Sequence, residues 1–168
     1  QWHGGGWERL LELRQQGIIA ALGVSVQNPM ELRRALQEPL VSHIQLPCNL
    51  LDWRWDDAIS LIEAVKRARS LTIHVRSALL QGLLVNDNEA SWRSAHVESP
   101  AAVREWLNDQ VSTFKRCGTV DLCLAYLRAL TWVDGIAVGM ENAAQLSENL
   151  ELFGRPPWEL AQVLALQA

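Results

Sequence analysis

The sequence predicts an α/β fold built on a parallel sheet, and three observations carry that prediction. Short strand-like segments at 18–24, 41–46, 71–75 and 135–138 alternate with longer segments of helical periodicity. Helix start signals stand in the gaps between them, at Asn28-Pro29, Ser99-Pro100 and Asn142. The apolar runs end in polar or small residues: Ser25, Gln45, Arg76 with Ser77, and Gly139 to Asn142. Strands alternating with helices imply right-handed βαβ units. Four such strands make either a small open sheet or half of an eight-stranded barrel. In both, ligands bind at the carboxyl ends of the strands.

The elements follow in order. Trp7 to Gln16 places Trp7, Leu10, Leu11 and Leu13 at helical spacing and stops at Gly17, a residue suited to a left-handed helix end. Ile18 to Val24 is a continuous apolar run, as a strand buried on both faces requires. Asn28 caps a helix with Pro29 at its first position and Glu31 completing an approximate capping box; Pro39 ends it. Val41 to Leu46 is the second strand. Asp56 and Asp57 open a helix whose inward stripe is Ile59, Ile62 and Val65. Trp53 and Trp55, just before it, either line an apolar substrate pocket or cover a helix, and covering is expected.

Leu71 to Val75 is the third strand, with Leu71, Ile73 and Val75 alternating with Thr72 and His74. A stretch of some 22 residues without a clear helix follows, up to Ser99-Pro100. Loops of that length in a compact domain are usually functional or disordered. A helix then runs through Val103, Trp106, Leu107, Val111 and Phe114, broken at Gly118-Thr119, and Val120 to Leu130 makes another. Gly135 to Val138 is the fourth strand. Asn142 and Gln145 form a capping box for an amphipathic helix with Leu146, Leu150 and Phe153, and Trp158 to Leu166 adds a short last helix.

Composition bounds the function. The 168 residues are 49% apolar and 20% charged, which favours one globular domain. A net charge of −4 gives no electrostatic reason to expect nucleic acid or a membrane surface as partner. The sequence contains no run of 18 apolar residues, so no bilayer-spanning helix is expected. Cys48, Cys117 and Cys123 form no CxxC pair, and the odd count fits reduced thiols in a cytoplasmic protein. The chain begins at Gln1 without the layout of a signal peptide, so upstream sequence is expected.

Four motifs occur in order: Gly23 to Ser25, Gln45 to Asp52, Ser77 to Leu84, and Gln145 to Leu150, after the Trp7 helix. Together they resemble the aldo-keto reductase family, whose fold is a (β/α)8 barrel, over roughly Trp7 to Phe153. The resemblance implies that residues 1–168 are the C-terminal half of one (β/α)8 TIM barrel, strands five to eight. The family's catalytic tetrad of Asp, Tyr, Lys and His belongs to the earlier strands and maps to nothing here. His3 sits before the Trp7 helix among glycines and is expected to be a flexible pre-helix residue. Tyr126, the single tyrosine, falls mid-helix and is expected in the core.

What the resemblance leaves to this chain is a site for NADP or NAD. Ser25 and Gln45 resemble the pair that hydrogen-bonds the nicotinamide carboxamide. Arg76 stands where many members stack an aromatic residue on the nicotinamide; a guanidinium plane can stack too, face an anion, or form a salt bridge. Ser77 to Gln81, including Leu79, match the loop whose amides hold the pyrophosphate, and Gly82 permits its turn. Gly139, Met140 and Gln145 lie at the adenosine end, where a helix N-terminus favours phosphate. Members selective for the 2′-phosphate often carry Lys, Ser and Arg there; those are absent and Glu141 is near, so strong NADP selectivity is not expected. Glu148 and Asn149 fit the adenine contacts.

Two functions follow. One is an NAD(P)-dependent oxidoreductase acting on an aldehyde, ketone, sugar or alcohol. The alternative is a non-catalytic binding or regulatory module on the same barrel. In either case half a barrel leaves two sheet edges and the interior face of the strands uncovered, and that face is expected to be apolar. The expected partners are a small-molecule substrate and the missing N-terminal half or a second copy of the chain.

Overall fold

The computed structural model describes residues 4–167. Its four strands form one parallel sheet in the order β1-β2-β3-β4, with β1 at Leu22–Ser25, β2 at Val41–Pro47, β3 at Thr72–Arg76 and β4 at Gly135–Ile136. Two compact units divide the chain, and the boundary falls inside β3, between His74 and Val75.

The first unit holds the chain through Leu46 together with Arg54–His74. Its first helix, α1 (Gly5–Gln15), ends where Gly17 turns left-handed at φ 73°. The Gly17 amide donates to the Arg14 carbonyl (3.0 Å) and the Ile18 amide to that of Leu13 (2.9 Å). This end motif corrects the expected strand over 18–24. With its amide committed to the helix end, Ile18 stays outside the sheet, 66% exposed, and β1 begins only at Leu22.

Helix α2 (Pro29–Gln37) starts as expected: Asn28 Oδ1 accepts the Glu31 amide at 3.0 Å, and Glu31 reaches back to accept the Gln27 amide at 2.7 Å. Helix α3 (Asp56–Ala68) buries Ala58 and Ile62, while Ile59 and Val65 are half-buried, so the stripe turns slightly from the expected one. Trp55 is buried and Trp53 is not. The Arg69 guanidinium donates to the carbonyls of Leu36, Glu38 and Val41, tying the end of α3 to the link between α2 and β2. The core is Leu32, Ala35, Leu36, Val41, Ile44, Leu46, Ile62 and Ile73.

Successive strand residues point to opposite faces. Ile44, Leu46 and Ile73 take the buried one. The other carries Gly23, Ser25, His43, Gln45, Thr72 and His74, and in this unit that corrects the expectation of an apolar interior face. His43 Nε2 lies 3.0 Å from His74 Nδ1 there, the rings meeting edge to face.

The second unit holds Pro47–Trp53 and the chain from Val75. The Cys48 amide donates to the Arg76 carbonyl (2.9 Å), and the Ala137 amide to that of Val75 (2.7 Å), just past β4, which is shorter than expected. The long connection after β3 is not helix-free: a 3-10 turn at Leu83–Val85 precedes α4 (Glu89–Ser94). Asn88 caps α4, and the buried Trp92 donates its indole N–H to the Asn86 carbonyl at 2.6 Å.

Helices α5 (Pro100–Thr113), α6 (Thr119–Ala129), α7 (Ala143–Gly154) and α8 (Leu160–Gln167) complete the unit. Every residue of α6 from Asp121 to Leu127 is buried, Tyr126 among them. Trp158 stacks on Phe114 (ring centroids 4.1 Å apart) and meets Tyr126 edge-on (5.6 Å). Asp121 is buried with two cations: its Oδ1 lies 3.7 Å from Arg116 Nη1, and its Oδ2 lies 3.1 Å from Arg155 Nε, which is not aligned to donate a hydrogen bond. Oδ2 also accepts the Cys117 amide at 2.9 Å. In α7, only Leu152 is buried; Leu146, Leu150 and Phe153, expected inside, are exposed. No described helix is long and apolar enough to cross a membrane.

Candidate cofactor cleft

A cleft of about 660 Å³ opens in the second unit. One wall is the end of β3 and the turn after it, contributing Arg76, Ser77, Ala78, Leu79, Gln81 and Gly82. The other lining segments are Ala137 to Glu141, after β4, and Gln145, Glu148 and Asn149 of α7. Val85 and Val120 close the remainder. Nine of the eleven residues that the sequence nominates therefore line one space. The other two, Ser25 and Gln45, belong to the first unit, where they are register partners across β1 and β2 and the Gln45 carbonyl accepts the Val26 amide at 2.8 Å.

The turn has an unusual backbone. Ser77, Leu80 and Gln81 have φ of 63°, 47° and 56°, and Gly82 follows at 84°. Each left-handed non-glycine residue costs about 1–2 kcal/mol, so the surroundings must hold the turn in place. The Leu80 amide donates to the Ser77 carbonyl (2.9 Å), and the amides of Leu83 and Leu84 to those of Leu80 (3.1 Å) and Leu79 (3.3 Å). Ala78 and Leu84 anchor it by burial. Strained backbone of this kind is concentrated at binding sites. Turns through the left-handed region bring successive N–H groups to one side and make an anion-binding concavity.

Charge in the cleft is uneven. Arg76 is the one cation among its lining residues, and Glu141 and Glu148 are the carboxylates. At the start of α7 the Asn142 side chain accepts the Gln145 amide (2.9 Å), and the Gln145 carboxamide oxygen accepts the Glu141 amide (2.7 Å). Gln145 thus holds the backbone of its own wall as well as facing the cleft.

Several lining residues escaped the sequence reading. Ala137 and Val138 read in sequence as the end of the fourth strand, and Val85 and Val120 are apolar residues without a pattern that separates cleft from core. Gly82 was noticed only for its turn.

The sequence profile described as the aldo/keto reductase family matches residues 5–163. The chain belongs to that family. Among solved structures, the aldo/keto reductase of Bacillus halodurans in its holo form aligns with a TM-score of 0.75 at 20% identity, over 95% of this chain and 53% of that one. The glycerol dehydrogenase of Gluconobacter oxydans aligns with a TM-score of 0.66 at 20% identity, over 94% of this chain and 51% of that one. At these identities the likeness is one of fold. This aldo/keto reductase chain spans about half the length of those structures. No curated protein sequence matches it.

The dinucleotide that the family implies can be tested against the cleft. The volume lies in the range of small-molecule and cofactor sites. One wall of that volume is a turn of left-handed residues, a backbone form that can present amides to an anion, and Arg76 stands beside it in sequence. The residues present fit the group.

Proposed function

We propose that residues 1–168 are the C-terminal half of a single aldo/keto reductase barrel, strands five to eight, and that this half holds NAD or NADP for an oxidoreductase acting on an aldehyde, ketone, sugar or alcohol. The observation that carries the reading is the gathering of Arg76, the left-handed turn Ser77–Gly82, and the Gln145–Asn149 helix face around one cleft. In this reading the turn amides bind the pyrophosphate, and Glu148 and Asn149 meet the adenine. A bound nicotinamide supplies the hydride chemistry. What the protein supplies is ring orientation, on which the geometry of transfer depends.

The remaining parts are partners. The missing N-terminal half, or a second copy of the chain, completes the barrel, and the general acid comes with the N-terminal half. Three cysteines, Cys48 and Cys123 buried and Cys117 exposed, suit reduced thiols in a cytoplasmic protein. The alternative is a non-catalytic binding or regulatory module; an N-terminal half that supplies Asp, Tyr, Lys and His decides for the enzyme, and one that lacks them decides for the module.

Titration of the chain with NADH and with ADP-ribose, followed by tryptophan emission and calorimetry, tests the proposal. Saturable binding that Asn149→Ala weakens is the expected result. A folded chain that binds neither ligand would remove the cofactor reading.

A further inference from the structure

We infer that His43 and His74 form a two-histidine site for a late transition-metal ion, Cu²⁺ by preference, on the polar face of the sheet. Both residues belong to the first unit, so the inference does not rest on the cofactor reading. His43 Nε2 and His74 Nδ1 lie 3.0 Å apart, with ring centroids at 4.4 Å and planes at 87°. Two nitrogens held by one ion at about 2.0–2.1 Å stand about 2.9 Å apart at a right angle and about 3.3 Å apart at the tetrahedral angle. The observed spacing fits two neighbouring corners of a square-planar or octahedral ion better than a tetrahedral one. Nitrogen ligands in tetragonal geometry suit Cu²⁺, which also heads the divalent affinity order.

The pair holds either a hydrogen or a metal between its rings. As a hydrogen-bonded pair, one facing nitrogen donates and the other accepts. Chelation needs both facing nitrogens bare. A neutral ring reaches that state by carrying its hydrogen on the far nitrogen, with no net proton lost. Each ring must then turn so that its lone pair aims beside its neighbour rather than at it.

The surroundings leave room for that turn. Both histidines are only half-buried, and Gly23, the register partner of His43, puts no side chain beside it. Ser25, Gln45 and Thr72 share the face and bring neutral oxygens. Among the described residues, no group of three or more His, Cys, Asp or Glu could hold a metal, so water or those oxygens complete the ion's shell. One ligand comes from β2 and the other from β3, and a bound ion therefore ties the two strands together.

Titration of the full chain with Cu²⁺, followed by calorimetry and electron paramagnetic resonance, tests the inference. The parent protein carries His3→Ala and Cys117→Ser, which remove a histidine outside the described residues and the exposed thiol as competing ligands. The expected result is saturable binding with the hyperfine pattern of two nitrogens at about pH 7.5, lost at about pH 5, where a protonated imidazole has no lone pair to give. His43→Gln and His74→Gln, each checked for folding by circular dichroism, should each abolish that two-nitrogen site. A folded parent without saturable binding, or with the pattern of a single nitrogen, would overturn the inference. Binding of the two-nitrogen kind that survives in either folded glutamine variant would overturn it too. Should one variant fail to fold, the other variant and the parent spectrum still decide.

Discussion

Gly23 and His43 face each other across β1 and β2 with no room for a side chain on the first. A Cβ built on Gly23 would lie 2.9 Å from the His43 carbonyl oxygen and 3.0 Å from its Cβ. Backbone on the His43 side cannot swing away as a flexible side chain would. The pairing also sits two residues before the Ser25–Gln45 register pair, so a shift at Gly23 would be carried to both.

Gly23→Ala is therefore expected to destabilise the protein by about 1–3 kcal/mol, the range for overpacking a close contact. A lowered urea midpoint at unchanged m-value checks it. A midpoint equal to that of the parent would mean that the strands separate at little cost.

Asp121 gives a second test. It is 2% exposed and faces Arg116, whose side chain is 7% exposed, and Arg155, at 39%. Asp121→Ala should cost about 3–5 kcal/mol, because it leaves the Arg116 charge buried without its counter-ion. Glu12→Gln, at the exposed Arg9–Glu12 pair, should change stability by less than about 1 kcal/mol. Comparable midpoints for the two variants would contradict the buried-charge account.

The thiols should divide by burial. Cys117 is exposed, whereas Cys48 and Cys123 are buried, and burial pushes the Cys123 thiol from 9.0 up to about 12. One equivalent should react quickly with an aromatic disulfide reagent, and two only on unfolding. The raised value also sets a pH dependence. Between about pH 9 and 12 the unfolded chain loses this proton while the folded chain keeps it, so stability is full below pH 9 and falls as pH rises through that window. Cys123→Ala should flatten the alkaline decline in thermal midpoint. An unchanged slope would assign the decline to other groups.

At the turn, Gly82 has φ 84° and open space where a Cβ would go. Gly82→Ala should thus be limited by backbone strain rather than by a clash, costing about 1–2 kcal/mol. If the turn binds pyrophosphate, ADP-ribose affinity should fall with it. Full affinity in a folded variant would take this turn out of the site.

A final prediction concerns activity. The chain by itself should not oxidise NADPH or NADH in the presence of aldehydes or ketones, since its single tyrosine is enclosed in α6. A positioned general acid contributes about 10²–10⁴-fold in rate. Turnover by a purified monomer of 168 residues would place the acid on a residue of this chain and refute the half-barrel proposal.

Much of the fold was legible where one residue decides a local geometry. Asn28 and Asn142 cap the helices they announce, and Gly17 turns left-handed where α1 ends. Hydropathy alone misled in two places. Ile18 belongs to a helix end because its amide bonds to Leu13, and no apolar run reveals that. Leu146 and Leu150 have the spacing of an inward stripe, yet α7 turns Leu152 inward instead. The short α4 has no periodic stripe to betray it. Within the cleft, the polar and glycine positions stood out because they end strands, whereas Val85 and Val120 looked like any core residue.

The helix starts carry a consequence for how the chain finds its fold. At α2, α6 and α7, a side chain at the third helical position accepts the amide four residues behind it: Glu31 from Gln27, Asp121 from Cys117, and Gln145 from Glu141. Closing so small a ring requires almost no search through chain conformations, unlike pairing Leu22 with Val41. These three starts can therefore flicker into place before the strands meet, and the slow part of folding falls to the sheet, where contact order is high.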